Sequence, residues 1–113
     1  MRLLICEDDP LIALDLAEEA ERRAVSTVVV TNAADALRAI AAFEITAAIV
    51  DLHLTDGRTG PDIARRLADR KVHTVILSGG ELHCAELADA SHIFIRKPAP
   101  ADIIIDCAAL GPA

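Results

Sequence analysis

Residues 3–13, "LLICEDDPLIA", run four apolar residues straight into three acids and then into an apolar stretch led by proline. Leu3, Leu4, Ile5 and Cys6 show no polar alternation, which suits a strand covered on both faces. Glu7, Asp8 and Asp9 follow at once, and Pro10 opens a segment with helical spacing. Three carboxylates against the end of a buried strand cost free energy through mutual repulsion and desolvation. Two readings stand: a solvated helix start favoured by the helix dipole, or a site that holds something positive.

The same rhythm continues outward. Runs 3–6, 27–30, 47–50, 72–77 and 92–95 read as strands, each Leu-rich or β-branched without period-two alternation. Segments 10–24, 33–43, 61–70, 81–89 and 100–109 read as helices. Asn32 and Asp35 are capping candidates for the second, and Pro61 suits a first helical turn. Five βα units with short connections predict an α/β fold: one doubly wound, five-stranded parallel sheet with helices on both faces. In the order 2-1-3-4-5 the second strand is an edge, and strands 1, 3, 4 and 5 are neighbours.

The 113 residues read as one domain, with no output domain and no linker expected. Hydrophobic residues are 53% and aromatics 2%, without Trp or Tyr, so the core is built from Ala, Leu, Ile and Val. A net charge of −7 and the lack of aromatic stacking platforms argue against a nucleic-acid partner. No apolar run approaches the roughly 20 residues of a membrane span, and no signal peptide is legible. Cys6, Cys84 and Cys107 are odd in number and widely spaced, and read as free thiols in a reducing cytoplasm.

In such sheets, ligands sit beyond the carboxyl ends of the strands, where the strand order reverses. Those ends carry Glu7, Asp8 and Asp9 after strand one, and Asp51 after strand three in "AAIVDLHLTDGRTG". Ser78 follows strand four in "VILSGGE", and Lys97 follows strand five in "IFIRKPAP". Glu7, Asp8 and Asp51 make a hard oxygen pocket suited to Mg²⁺. A phosphoryl group there would meet the metal on one side and the Lys97 ammonium on another, with the Ser78 hydroxyl free to bond a third oxygen. Asp51, after the central strand, is the candidate nucleophile for an aspartyl phosphate. Asp9 reads as a cap, and Asp56 before Gly57 as a turn residue.

These residues resemble the receiver domains of bacterial response regulators, a flavodoxin-like fold, over essentially the whole chain. The resemblance implies Glu7 and Asp8 as the acidic pair, Asp51 as phosphoacceptor, Ser78 as switch hydroxyl and Lys97 as the phosphate-binding lysine. It implies Phe94 as the aromatic that changes rotamer with Ser78, His53 as a backbone-carbonyl ligand to Mg²⁺, and a cis bond at Lys97–Pro98. The implied function is that of a stand-alone phosphoacceptor: a relay, phosphate sink or regulator by protein contact. Its donor would be a phosphohistidine on a sensor histidine kinase or histidine phosphotransfer protein, and it would turn over no separate substrate. Leu11 and Leu14 fall off the core stripe of Ile12, Ala13, Leu16 and Ala20 and read as a partner-docking patch, with packing as the rival account.

Several features depart from the family pattern. The stretch from Ser78 to Phe94 is about three residues shorter than in chemotaxis-type receivers, and "GGELHCAELADA" implies a short or irregular fourth helix. Ala99 replaces the usual aromatic after "KP", and Gly111 and Pro112 end the last helix early. These changes fall on the fourth helix, fifth strand and fifth helix, where exposure of Ile93, Ile95, Ile103 or Ile104 would allow a homodimer. Two other readings compete. A haloacid-dehalogenase-type phosphatase uses the same Asp, hydroxyl, Lys and Mg²⁺ set, but wants an acid where His53 stands. A pseudo-receiver would bind partners without phosphorylation, but it would lack Asp51, Lys97 or the acidic pair.

Overall fold

The computed structural model describes residues 2–79 and 93–110. In chain order these form β1 (Arg2–Cys6), α1 (Pro10–Arg22), β2 (Ser26–Val30), α2 (Ala33–Ala42), β3 (Ala47–Asp51), α3 (Gly60–Asp69), β4 (His73–Ser78), β5 (Ile93–Arg96) and α4 (Ala101–Leu110). The helix expected over 81–89 lies outside the described residues, as does Cys84. The five strands are parallel in the order β2-β1-β3-β4-β5. The doubly wound sheet read from the sequence is therefore the observed one.

Successive residues of β1 feed opposite faces, which is why its apolar run shows no alternation. Leu3 and Ile5 pack with Leu16, Ala20, Ile49 and Ile105, under α1 and α4. Leu4 and Cys6 pack with Ile40, Val50, Ile63 and Leu67, under α2 and α3. Ala36 and Ala64 are fully buried, so α2 and α3 approach the sheet closely without large side chains. Burial pushes the Cys6 thiol far up, leaving an inert neutral sulfur.

Both ends of the helices are set by local chemistry. Asp9 Oδ1 accepts from Leu11 N at 2.9 Å and Ile12 N at 3.4 Å, so the third acid of the opening triplet is the cap of α1. Asn32 Oδ1 accepts from Asp35 N at 2.8 Å, while Asn32 Nδ2 donates to Asp35 Oδ2 at 3.1 Å. Asn32 is thus the cap of α2 and Asp35 its reciprocal partner.

Helices α1 and α3 end in the same way. Val25 N donates to Ala20 O and Ala24 N to Glu21 O, both at 2.9 Å. Val72 N donates to Leu67 O at 3.0 Å and Lys71 N to Ala68 O at 2.9 Å. Ala24 and Lys71 accordingly take left-handed φ values of 58° and 59°. That turn stops α1 at Arg22, short of the residue 24 expected from hydrophobic spacing. A side chain in this conformation is strained, and glycine is not. Ala24→Gly and Lys71→Gly are each expected to raise stability by about 0.5–1 kcal/mol, read as an increased urea midpoint.

Leu11 and Leu14 are 73% and 52% exposed, outside the stripe formed by Ala13, Leu16 and Ala20. The four isoleucines proposed for a dimer face separate. Ile93 and Ile103 are exposed and Ile95 is half-buried, but Ile104 is only 3% exposed. Ile104 points into the α1-side core with Leu16 and Ile105 and is removed from that surface. No helix among the described residues is long and apolar enough to cross a membrane.

Candidate functional site

Register brings the chemistry-bearing residues to one edge. Cys6 pairs with Val50, so Glu7 follows β1 level with Asp51 at the end of β3. Asp51 pairs with Leu77, which places Ser78 one step further along β4. Ser78 pairs with Arg96, and Lys97 N donates to Ser78 O at 2.8 Å. β1 and β3 flank the point where the strand order reverses, the expected crevice of a doubly wound sheet.

Lys97 joins the two sides of this crevice. Its Nζ donates to Asp51 Oδ2 at 2.5 Å and lies 2.9 Å from Glu7 Oε2. Asp51 Oδ1 accepts from the His53 N–H at 3.2 Å, so both oxygens of the Asp51 carboxylate are oriented. Glu7 is fully buried; its Oε1 accepts from Asp9 N at 3.0 Å. Glu7 Oε2, close to the ammonium but not aligned as a hydrogen bond, has no hydrogen-bond partner. Asp8 is exposed, Ser78 is buried, and the His53 ring is exposed. Phe94 is half-buried beside Ile76 and packs on the α3-side core.

Burial pushes the Glu7 carboxyl up to about 7 from its ordinary 4.5; Lys97 opposes this, and the Asp51 charge adds to it. Burial pulls the Lys97 ammonium down, but the hydrogen bond to Asp51 and the negative charges of Asp51 and Glu7 outweigh it and hold its pKa above the ordinary value. Between pH 4.5 and about 7 the folded protein holds a proton on Glu7 that the unfolded chain has lost. This contribution to stability is therefore complete below that window and is lost as pH rises through it. Urea melts in chelator are expected to show wild type losing stability relative to Glu7→Gln across this range. A difference independent of pH would refute the assignment.

The acids fit a divalent cation. Glu7, Asp8 and Asp51 each place a carboxylate oxygen within 4.8 Å of the others. The buried Glu7 Oε2 supplies the second observation: it is ion-paired with Lys97 at 2.9 Å but makes no hydrogen bond, so a lone pair is left that a hard cation can use.

The loop after Asp51 holds residues whose roles were not legible beforehand. Gly60 N donates to Leu52 O at 3.1 Å, starting α3 directly against the end of β3. Asp56 is a turn residue as read, beside Gly57 with φ +102°, but its carboxylate also caps α2. Asp56 Oδ2 accepts from Ala33 N at 2.9 Å, a contact across 23 residues that no local pattern announces.

No family model and no curated protein matches the chain. Solved structures do. A sensor protein from a Polaromonas species is 32% identical, with a TM-score of 0.79 over 97% of this chain and 94% of that one. A response regulator receiver protein from Sinorhizobium medicae is 21% identical, with a TM-score of 0.80 over 97% and 92%. The chain belongs to the response-regulator receiver family. The receiver fold is also shared with a response regulator protein from Burkholderia pseudomallei, 23% identical with a TM-score of 0.83 over 95% of this chain and 65% of that one. That protein was solved with a phosphorylated aspartic acid and a calcium ion. This receiver carries a cis peptide bond at Lys97–Pro98, where the sequence led us to expect one.

Proposed function

We propose that this receiver accepts a phosphoryl group on Asp51 from a phosphohistidine of a sensor histidine kinase or histidine phosphotransfer protein. The observation that carries the reading is the Lys97 ammonium bridging Asp51 Oδ2 and Glu7 Oε2 at the reversal of strand order. An Asp51 oxygen forms the new O–P bond as the P–N bond breaks, and the leaving imidazole keeps the electron pair and takes a proton from water. Mg²⁺ held by Glu7, Asp8, Asp51 and the His53 carbonyl supplies charge neutralisation when bound. Lys97 moves its ammonium onto a phosphoryl oxygen, and the His53 N–H keeps Asp51 oriented. The Ser78 hydroxyl bonds another phosphoryl oxygen, and Phe94 follows it as the readout of phosphorylation.

The protein then acts in the cytoplasm as a relay, phosphate sink or regulator by contact, and as a phosphoacceptor rather than an enzyme with a separate substrate. The exposed Leu11 and Leu14, on the helix that follows the acids at the end of β1, suit the docking of its donor. The test is intact-mass analysis after incubation with acetyl phosphate, with Mg²⁺ or with chelator. One Mg²⁺-dependent phosphoryl adduct is expected. No adduct, with the fold intact, would leave a receiver that works by protein contact alone.

A further inference from the structure

The loop that leaves Asp51 is tied to a part of the molecule that carries none of the site residues. Thr55 N and Thr55 Oγ1 both donate to Thr31 O at 3.0 Å. Asp56 Oδ2 accepts from Ala33 N at 2.9 Å, and Asp56 Oδ1 accepts from Thr59 Oγ1 at 2.7 Å. A single carboxylate thus spans the first turn of α2 and the far limb of its own loop. Between the two limbs Leu54 and Gly57 pair back to back, Leu54 N to Gly57 O at 2.8 Å and Gly57 N to Leu54 O at 3.0 Å. Leu52 and Leu54 are buried, and His53 is carried between them.

We infer that Asp56 is a positioning residue for the phosphorylation site: its clamp on Ala33 and Thr59 fixes the loop whose His53 N–H orients Asp51. Asp56 touches none of the reacting groups and acts through the backbone of residues 52–55. The coupling is short, because His53 N reaches Asp51 Oδ1 at 3.2 Å only while its peptide lies against the end of β3. The Thr59 hydroxyl is the chief cause that holds the Asp56 carboxyl below its ordinary range, with the N–H groups at the start of α2 adding to it. The clamp is charge-assisted on both sides. This inference rests on the phosphoacceptor reading for its consequence, but not for its geometry.

Three variants separate positioning from simple capping. Asp56→Ala removes both contacts. Asp56→Asn keeps an acceptor for Ala33 N and an N–H group for the Thr59 oxygen. Asn32→Ala removes the other cap of the same α2 N-terminus and leaves the loop contacts in place. With acetyl phosphate and Mg²⁺, Asp56→Ala is expected to slow adduct formation by about ten- to a hundredfold, the scale of a small misplacement of reacting groups. The same variant should lose about tenfold of its hydrogen-exchange protection at the His53 amide, a local opening. Asn32→Ala, with a comparable loss of thermal stability, should move neither readout, and Asp56→Asn should restore both.

Equal effects of Asp56→Ala and Asn32→Ala would reduce Asp56 to a helix cap. A wild-type His53 amide unchanged by Asp56→Ala would overturn the inference outright. Should wild type take up no phosphoryl group, the phosphoacceptor reading fails, and the exchange comparison still decides the positioning claim.

Discussion

Asp51→Asn takes up no phosphoryl group under conditions where wild type gives one Mg²⁺-dependent adduct, and it loses nothing of its fold. The amide is no nucleophile, so the covalent step has no atom to start from. The loss should be complete by intact mass. Structure survives because an asparagine oxygen still accepts from the His53 N–H, and Lys97 still has Glu7 Oε2 at 2.9 Å. One of two like charges beside a single ammonium is removed, which offsets the broken ion pair with Asp51. The metal-free variant is therefore expected to melt within about 5 °C of wild type. The responses to Mg²⁺ separate the two proteins. A cation bound only by the native state stabilises by about 2.7 kcal/mol at a hundred times its dissociation constant. Removing one of three carboxylates weakens the site, so Mg²⁺ should raise the melting temperature of wild type and leave Asp51→Asn nearly unchanged. An adduct on Asp51→Asn would place the phosphoacceptor elsewhere.

The sheet and its edge were legible because each strand announces itself twice. The apolar runs at Leu3–Cys6 and Ala47–Val50 lack alternation because both faces are covered, and each run ends in a residue apolar burial would not choose. Glu7, Asp51, Ser78 and Lys97 could be assembled from those ends, since parallel strands in one order deliver their carboxyl ends to one crevice. Three features were not legible, each for a physical reason. The left-handed turns at Ala24 and Lys71 use residues without conformational preference for that region, so no glycine marks them. The Asp56 contact with Ala33 joins residues remote in sequence, and "TDG" reads only as a turn. Ile104 was grouped with Ile103 by composition, but consecutive helical positions lie about 100° apart, and one of the two turned inward.

Gly60→Ala is expected to damage this receiver more than a methyl group added at Gly57 or Gly79. The pressure on Gly60 is space, and backbone conformation has no part in it. A Cβ there would stand 2.1 Å from Asp51 O and 2.6 Å from Leu52 Cα. Both are main-chain atoms of the central strand and its exit, so no side chain can rotate away. Either α3 retreats from the sheet, uncovering Ile63 and Leu67 in the α3-side core, or the end of β3 moves and takes Asp51 with it. Overpacking against backbone belongs to the upper part of the range for such changes, about 3 kcal/mol or more. The melting temperature should fall on the order of 10–20 °C. Gly57→Ala is the matched control: it needs a left-handed φ of +102° but meets nothing within 4 Å, so it should cost only about 1 kcal/mol. Phosphorylation by acetyl phosphate, measured well below the melting point, decides which way the strain is relieved. A folded Gly60→Ala that still phosphorylates at the wild-type rate means α3 gave way. A folded Gly60→Ala that does not means the strand end moved. A melting temperature equal to that of wild type would show that the close approach of α3 to Asp51 is not what the core requires.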